Sequence, residues 1–399
     1  MSDAAARPLP LQGVRVVEFC QTIMGPCAGL ILADLGADVI KVEPAPDGDK
    51  TRRLHGFAAG FFGAFNRNKR GLAVNLKSDE GRAVVHRLLE TADAVIENYA
   101  PGTVEKLGCG YKDCAKINPR IIYCSLKGFL SGPYENRPAL DEVVQYMAGL
   151  AYMTGPPGRP LRAGSSVVDI MGGTFAVVGI QAALRERETT GKGQFVKSAL
   201  FESTAFLMMQ HLVGRAVTDV DQPPMPGRVG AWAVYETFET SDDQRIFIGI
   251  TSDNHWRRYC EKFDRQDLLE DPNLKTNEDR VRARERTLPI VAEITKQYTI
   301  EEMSAICEEI EIPFSPVARP EDLTDDPQLN ANDRMLHVEL DNAPVTKVPR
   351  LPVEIGDHDL NLRLQPPKIG EHTRDILTEL GYGEADIVRM NDAGTIVAR

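Results

Sequence analysis

The sequence predicts an α/β fold: a parallel sheet covered by helices on both faces, followed by a smaller α+β domain. Three observations point there. Strand and helix signals alternate between residues 14 and 128; the chain then turns helical to about 217; and near 220 the segment DQPPMPGRVG brings Pro and Gly into a polar setting before hairpin-like strands begin.

The elements follow in order. VRVVEF (14–19) is a short Val-rich strand. PCAGLILADLG (26–36) reads as a helix, with Pro26 suited to its first turn and Gly36 to its end. DVIKVE (38–43) is a second strand, and a Phe-rich polar stretch follows it. SDEGRAVVHRLLETAD (78–93) is an amphipathic helix capped by Ser78, with Asp79 and Glu80 in its first turn. AVIEN (94–98) and RIIYCSLKG (120–128) are further strands. ALDEVVQYMAGLAYM, MGGTFAVVGIQAALRERE (171–188) and FESTAFLMMQHLVGRAV read as helices, with the strand QFVKSAL (194–200) before the last. Past the boundary come the strands AVYETFET and RIFIGI, then charged helices near 276–298 and 300–310, and finally EHTRDILTELG. The domain reading is therefore 1–220, 221–330 and 331–399.

Composition bounds the function. The 399 residues suit two to three domains, and 42% hydrophobic with 26% charged residues excludes a largely disordered chain. The 46 basic and 58 acidic residues give a net charge of −12, which argues against a nucleic-acid partner. Cys20, Cys27, Cys109, Cys114, Cys124, Cys260 and Cys307 form no CxxC pair, so they read as reduced, mostly buried thiols of a cytoplasmic protein. The seven histidines are scattered without HxxxH or HExxH spacing, so no metal site is expected. The N-terminus lacks the pattern of a signal peptide, and no run of about 18 apolar residues suggests a membrane partner.

Three constellations invite chemistry. The first strand–turn–helix, with Glu43 ending the second strand, has the outline of a dinucleotide site, but only Gly25 and Gly29 are present and no GxGxxG aligns. A nicotinamide cofactor is not expected. Lys69, Arg70, Lys77, Lys106, Lys127 and Arg137 lie beside strand ends, where they either gather around a polyphosphate or stand solvated. Asp169, in RAGSSVVDIMGG, sits among apolar residues before two glycines. It reads equally as a helix N-cap or as a nucleophilic carboxylate, with amides near Gly172 and Gly173 available to an oxyanion.

Taken together, the motifs VRVVEF, ADLGADVIKVEP, NRNKRGLAVNLKSDEGR, ADAVIENYAPGTVEKLGCGY, NPRIIYCSLKGF, GPYENRPALDEVVQYMAGL, RAGSSVVDIMGG, GKGQFVKSALFES and PPKIGEHTRDILTELGY resemble the class III CoA-transferases, the CaiB/BaiF family of formyl-CoA transferase and carnitine CoA-transferase. The resemblance runs from about residue 10 to 390. It implies a large Rossmann-like domain built from both chain ends, a small inserted α+β domain, and an interlocked homodimer. It places the nucleophile on Asp169. The CoA contacts fall on Ile23 and Met24, on Val74, Asn75, Leu76 and Lys77, on Asn98, Tyr99 and Ala100, on Lys106, and on Pro138, Ala139, Leu140 and Asp141. The sequence departs from some members at Pro44 and Ala100, where they carry arginine. It also lacks the glycine-rich loop of formyl-CoA transferase, reading SDDQRIFIGITSDNHW there, which argues against formyl-CoA:oxalate exchange.

The implied chemistry moves CoA from an acyl-CoA donor to a carboxylic acid through an aspartyl anhydride and an aspartyl-CoA thioester, with no permanently bound cofactor and the CoA thioester as substrate. Succinyl-CoA with a dicarboxylate acceptor is the expected pair, and Arg52, Arg53, Arg159, Arg162 and Arg228 are candidate counter-cations. Two alternatives stand beside this. An acyl-CoA racemase of the same superfamily needs a His before its Asp, where this chain has Leu140, and no histidine occurs between His86 and His211. A non-catalytic acyl-CoA-binding protein would have no need of Asp169.

Overall fold

A computed structural model describes residues 7–228, 230–340 and 343–399. The chain forms two compact units, Met1–Pro226 with Gln328–Arg399, and Gly227–Pro327.

The first unit opens with β1 (Arg15–Phe19), α1 (Met24–Asp34), β2 (Asp38–Pro44), β3 (Lys69–Val74), α2 (Asp79–Leu89), β4 (Ala94–Glu97) and β5 (Ile122–Lys127). It continues through α3 (Asp141–Met147), α4 (Val167–Thr190), β6 (Gln194–Ala199), α5 (Leu200–Leu207) and α6 (Met209–Thr218). The second unit carries the antiparallel strands β7 (Val234–Glu239), β8 (Arg245–Ile250) and β9 (Phe314–Pro316). They pack on α7 (Asp253–Lys262), α8 (Arg284–Thr295) and α9 (Ile300–Glu309) around Val234, Ile248, Tyr259, Val291 and Met303. The chain returns to the first unit through the hairpin β10 (Met335–Val338) and β11 (Thr346–Pro349), α10 (Thr373–Glu379), α11 (Glu384–Asp392) and β12 (Ile396–Val397).

The main sheet has the order β12-β3-β2-β1-β4-β5-β6. All its pairs are parallel except β12, which runs antiparallel to β3. Parallel strands are buried on both faces and so read as near-continuous apolar runs. Val17, Ile40 and Leu72 point to one face, under α2, α10 and α11; Val16, Val39 and Ile96 point to the other, under α1, α3 and α4. Ser78 caps α2 as its sequence foretells, accepting from Gly81 N at 3.0 Å.

Several boundaries differ from the sequence reading. The helix expected from Ala139 to Met153 breaks at Gly149, whose φ of +87° is the left-handed region that glycine enters without a steric penalty. The helix after β6 divides at Met208. The helix expected from 171 starts at Val167, so Asp169 is its third residue and Ser166 holds the N-cap position, making no side-chain cap bond. β3 occupies KRGLAV, which the sequence showed only as part of a basic cluster. By length and composition alone α4 is long and apolar enough to cross a bilayer, and its Val168, Gly172, Ala176, Ile180 and Ala183 are buried in the helical layer on the sheet. All seven cysteines are buried and unpaired.

Candidate active site

Strand order reverses on either side of β1, which lies between β2 and β4. Open α/β sheets hold ligands outside the carboxyl ends of the strands at such a switch point, because the two flanking connections part there and leave a crevice. A cavity of about 330 Å³ occupies that place, lined by Gln21, Thr22 and Met24 after β1, Asn98–Pro101 after β4, and Leu126–Gly128 at the end of β5. Lys50, Glu135–Asp141, Asp169 and Leu200 complete it.

The turn from β1 into α1 is held by side chains from other strand ends. Lys41 Nζ, fully buried, donates to Cys20 O (2.7 Å) and to Glu18 Oε1 (3.2 Å), and lies 3.0 Å from Asp49 Oδ2. Asn98 accepts from Gln21 N (2.9 Å) and donates to Gln21 O (2.7 Å). Thr22 has φ +68°. For a β-branched residue that conformation costs on the order of 1–3 kcal/mol, so the surroundings must hold it there. Glu18 also meets Lys69 Nζ at 2.8 Å, and Lys69 donates to Pro26 O and to Asn66 Oδ1, both at 2.9 Å. Burial wins at Lys69 and lowers its pKa; at Lys41 burial acts the same way, but Glu18, Asp49 and Glu43 outweigh it and hold the pKa raised.

Asp169 reaches the cavity because α4 lies close on the start of α1. A Cβ at Gly173 would stand 2.6 Å from Met24 O, and one at Gly172 would stand 2.5 Å from Met24 Cε. The glycines thus permit close helix approach. They do not supply oxyanion donors: both lie beyond the first turn of α4, where amides are spent on carbonyls four residues back. The first amides of α1, after an N-cap Ile23 that makes no side-chain bond, have no such partners. Asp141 takes over the capping that Ser166 omits, its Oδ2 accepting from Val168 N (3.0 Å) and Asp169 N (3.2 Å). Gln145, fully buried, donates to Asp141 Oδ1 and accepts from Ala163 N (2.8 Å), tying the approach to α4 in place. Burial, then the Asp141 charge, push the Asp169 carboxyl up to about 7, against the pull of Arg162.

The cavity gathers Met24, Asn98, Tyr99, Ala100, Pro138, Ala139, Leu140, Asp141 and Asp169 from the sequence-derived set. Ile23, the N-cap of α1, lies between the lining residues Thr22 and Met24 but does not line the cavity itself. Val74 ends β3, and Asn75, Leu76 and Lys77 form the turn into α2; Lys106 ends a short helix, Thr103–Lys106. None of these lines the cavity. The cluster of basic groups disperses: Lys69 is sealed beside Glu18, Arg70 pairs with Asp38 and Glu379, and Lys127 pairs with Glu97 at 2.7 Å. Of the candidate counter-cations, Arg52 is bound to Glu43 and to Pro367 O, and Arg162 to Glu142. The cavity's own cations are Lys50, Lys127 and Arg137. Gln21, Thr22 and Lys50 escaped the sequence reading; Asp49 and Thr51, buried on either side of Lys50, were the available signal only as one more polar segment.

Residues 11–373 match a family model described as CoA-transferase family III. The chain is 33% identical over 396 residues to a succinate–glutarate CoA-transferase of Agrobacterium fabrum, covering 95% of this chain and 98% of the relative. It is 32% identical to a succinyl-CoA:mesaconate CoA-transferase of Haloarcula marismortui, covering 93% and 96%. Among solved structures, a CaiB/BaiF family protein from Brucella suis matches with a TM-score of 0.84 and 34% identity over 94% of this chain and all of that one.

Proposed function

Given that the chain belongs to CoA-transferase family III, we propose that this enzyme moves CoA from succinyl-CoA to a dicarboxylic acid through Asp169. The relatives named for succinate–glutarate and succinyl-CoA:mesaconate transfer support the substrate pair. The observation that carries the reading is Asp169 itself: a carboxyl pushed up to about 7, at the switch-point cavity, on a helix whose first amides Asp141 holds. A carboxylate disfavoured as an anion is a better nucleophile than a solvated one.

The steps balance as follows. An Asp169 oxygen attacks the thioester carbonyl, the C–S bond breaks, and CoA thiolate leaves a mixed anhydride. The thiolate attacks the aspartyl carbonyl, the anhydride C–O bond breaks, and the donor departs as its carboxylate, leaving aspartyl-CoA thioester. The acceptor carboxylate attacks that carbonyl and expels thiolate; thiolate then attacks the acceptor's carbonyl and frees Asp169. Free amides at the start of α1 suit the oxyanions that form beside Met24. Lys50 and Arg137 suit the anionic groups of CoA or of the acid. The CoA thioester is substrate, and no resident cofactor enters the scheme. The seven free, buried thiols suit a cytoplasmic enzyme.

The test is Asp169→Asn, which keeps size and removes the nucleophilic oxygen. The variant is expected to fold and to lose transfer by more than about 100-fold, assayed by mass spectrometry across CoA donors and acids. Wild-type protein given acyl-CoA and then hydroxylamine should carry an aspartyl hydroxamate on the peptide containing Asp169. An active variant, or an adduct on another carboxylate, refutes the assignment.

A further inference from the structure

Three consecutive positions in the turn between β1 and α1 are each gripped by a side chain from elsewhere: Cys20 O by Lys41, Gln21 by Asn98, and Thr22 N, which donates to Thr51 Oγ1 at 3.0 Å. Asn98 lines the cavity and can meet a ligand directly. Thr51 is 2% exposed and does not line the cavity; its hydroxyl touches the cavity wall through Thr22 N. Its hydroxyl has one proton, and that proton goes to Asp49 Oδ1 (2.7 Å), which leaves its lone pairs for Thr22 N–H. Asp49 is fixed in turn. Its N donates to Glu43 Oε2 (2.7 Å), Thr51 N donates to its Oδ1 (2.8 Å), and Lys41 Nζ stands 3.0 Å from its Oδ2. The chain of contacts runs from a buried lysine to a left-handed threonine in the cavity wall.

We propose that Thr51 is a positioning residue for the transfer reaction: by accepting from Thr22 N–H it holds the wall of the cavity that Asp169 shares, and so sets where the thioester carbonyl sits for attack. The inference rests on the CoA-transfer reading above. Without the Thr51 oxygen, Thr22 N–H is left facing a methyl group and the turn has no reason to keep a conformation that a β-branched residue otherwise avoids. Gln21 and Thr22 then shift relative to Asp169, and small displacements of a reacting geometry weigh on the chemical step more than on binding.

The experiment compares Thr51→Val, which preserves shape, with Thr51→Ser, which preserves the hydroxyl, in the full chain with an acyl-CoA and acid pair that the wild type turns over. Thr51→Val is expected to lower kcat by about 10- to 100-fold while the KM for acyl-CoA stays within about threefold; Thr51→Ser is expected to restore kcat to within about threefold of wild type. Amide exchange at Thr22 should be fast in Thr51→Val and slow in wild type and Thr51→Ser. Wild-type kcat in Thr51→Val, a Thr51→Ser as slow as the valine variant, or unchanged protection at Thr22 overturns the proposal. If the valine variant does not fold, Thr51→Ala carries the same comparison. A wild type that transfers no CoA to any acid refutes the underlying reading instead, and the exchange comparison then decides alone whether Thr51 holds the turn.

Discussion

Asp169 shares its corner of the molecule with Asp141 and Arg162, and the balance among burial, repulsion and attraction sets its chemistry. With its pKa at about 7 rather than 3.8, the nucleophile is mostly protonated in acid. The value of kcat/KM for acyl-CoA should therefore rise about tenfold per pH unit up to about pH 7 and then level off, measured as a pH–rate profile of the free enzyme. The same titration acts on stability. Between pH 4 and 7 the native state binds a proton that the unfolded chain has released, so folding weakens as pH rises through that window. Asp169→Asn removes the effect: it should match wild type near pH 4 and exceed it by up to about 4 kcal/mol at pH 8, read from urea unfolding at both pH values. Asp169 stood out in the sequence because a carboxylate inside an apolar run needs a reason. The Lys41–Asp49–Thr51 relay did not: Asp49 and Thr51 fall in a polar stretch, and the turn that Lys41 and Thr51 hold lies 21 to 29 residues before them. Thr22 gave no signal, since nothing in QTIMG marks a positive φ at a threonine.

At the scale of elements, the strands that were read kept their bounds better than the helices did. RIFIGI became β8 without change, and β1, β2, β4 and β5 lie where apolar Val and Ile runs put them. β3 was lost to its own ends: Lys69 and Arg70 begin it, and a lysine that is sealed against Glu18 has the same letter as one in water. The glycines of α4, read in the sequence for their amides, instead let α4 close on the start of α1, against the Met24 side chain at Gly172 and the Met24 carbonyl at Gly173. A contrast between them tests this. Alanine is favoured over glycine in a helix by about 1 kcal/mol. At Gly172 the added methyl meets the flexible end of Met24, which can turn aside, so Gly172→Ala should be near neutral in stability. At Gly173 it meets the Met24 carbonyl, part of the backbone, so Gly173→Ala should cost about 1–3 kcal/mol and displace Asp169 enough to slow transfer. Thermal melts and kcat for the pair check the ordering.

For the whole molecule, the resemblance implied a homodimer, and we propose that a second copy covers the apolar residues left in water on α5 and α6. Phe206, Leu212, Val213 and Val217 are 52%, 66%, 61% and 79% exposed, and α6 buries none of its residues. Light scattering at low concentration should give twice the 44.0 kDa chain mass, and a mass of one chain refutes the proposal. The sheet of the first unit also imposes an order of events during synthesis. β1 to β6 leave the ribosome early, but α10, α11 and β12, which cover Val17, Ile40 and Leu72 and close the edge of β3, are encoded at the far end. At roughly 5–20 residues per second, translation of the stretch from β6 to β12 takes on the order of 10–40 s. During that interval the part of this sheet face that α10 and α11 later cover is apolar surface, with α2 alone of the three helices in place. The second unit, continuous in sequence, emerges in the meantime, so the nascent chain completes its inserted part before the part that began it.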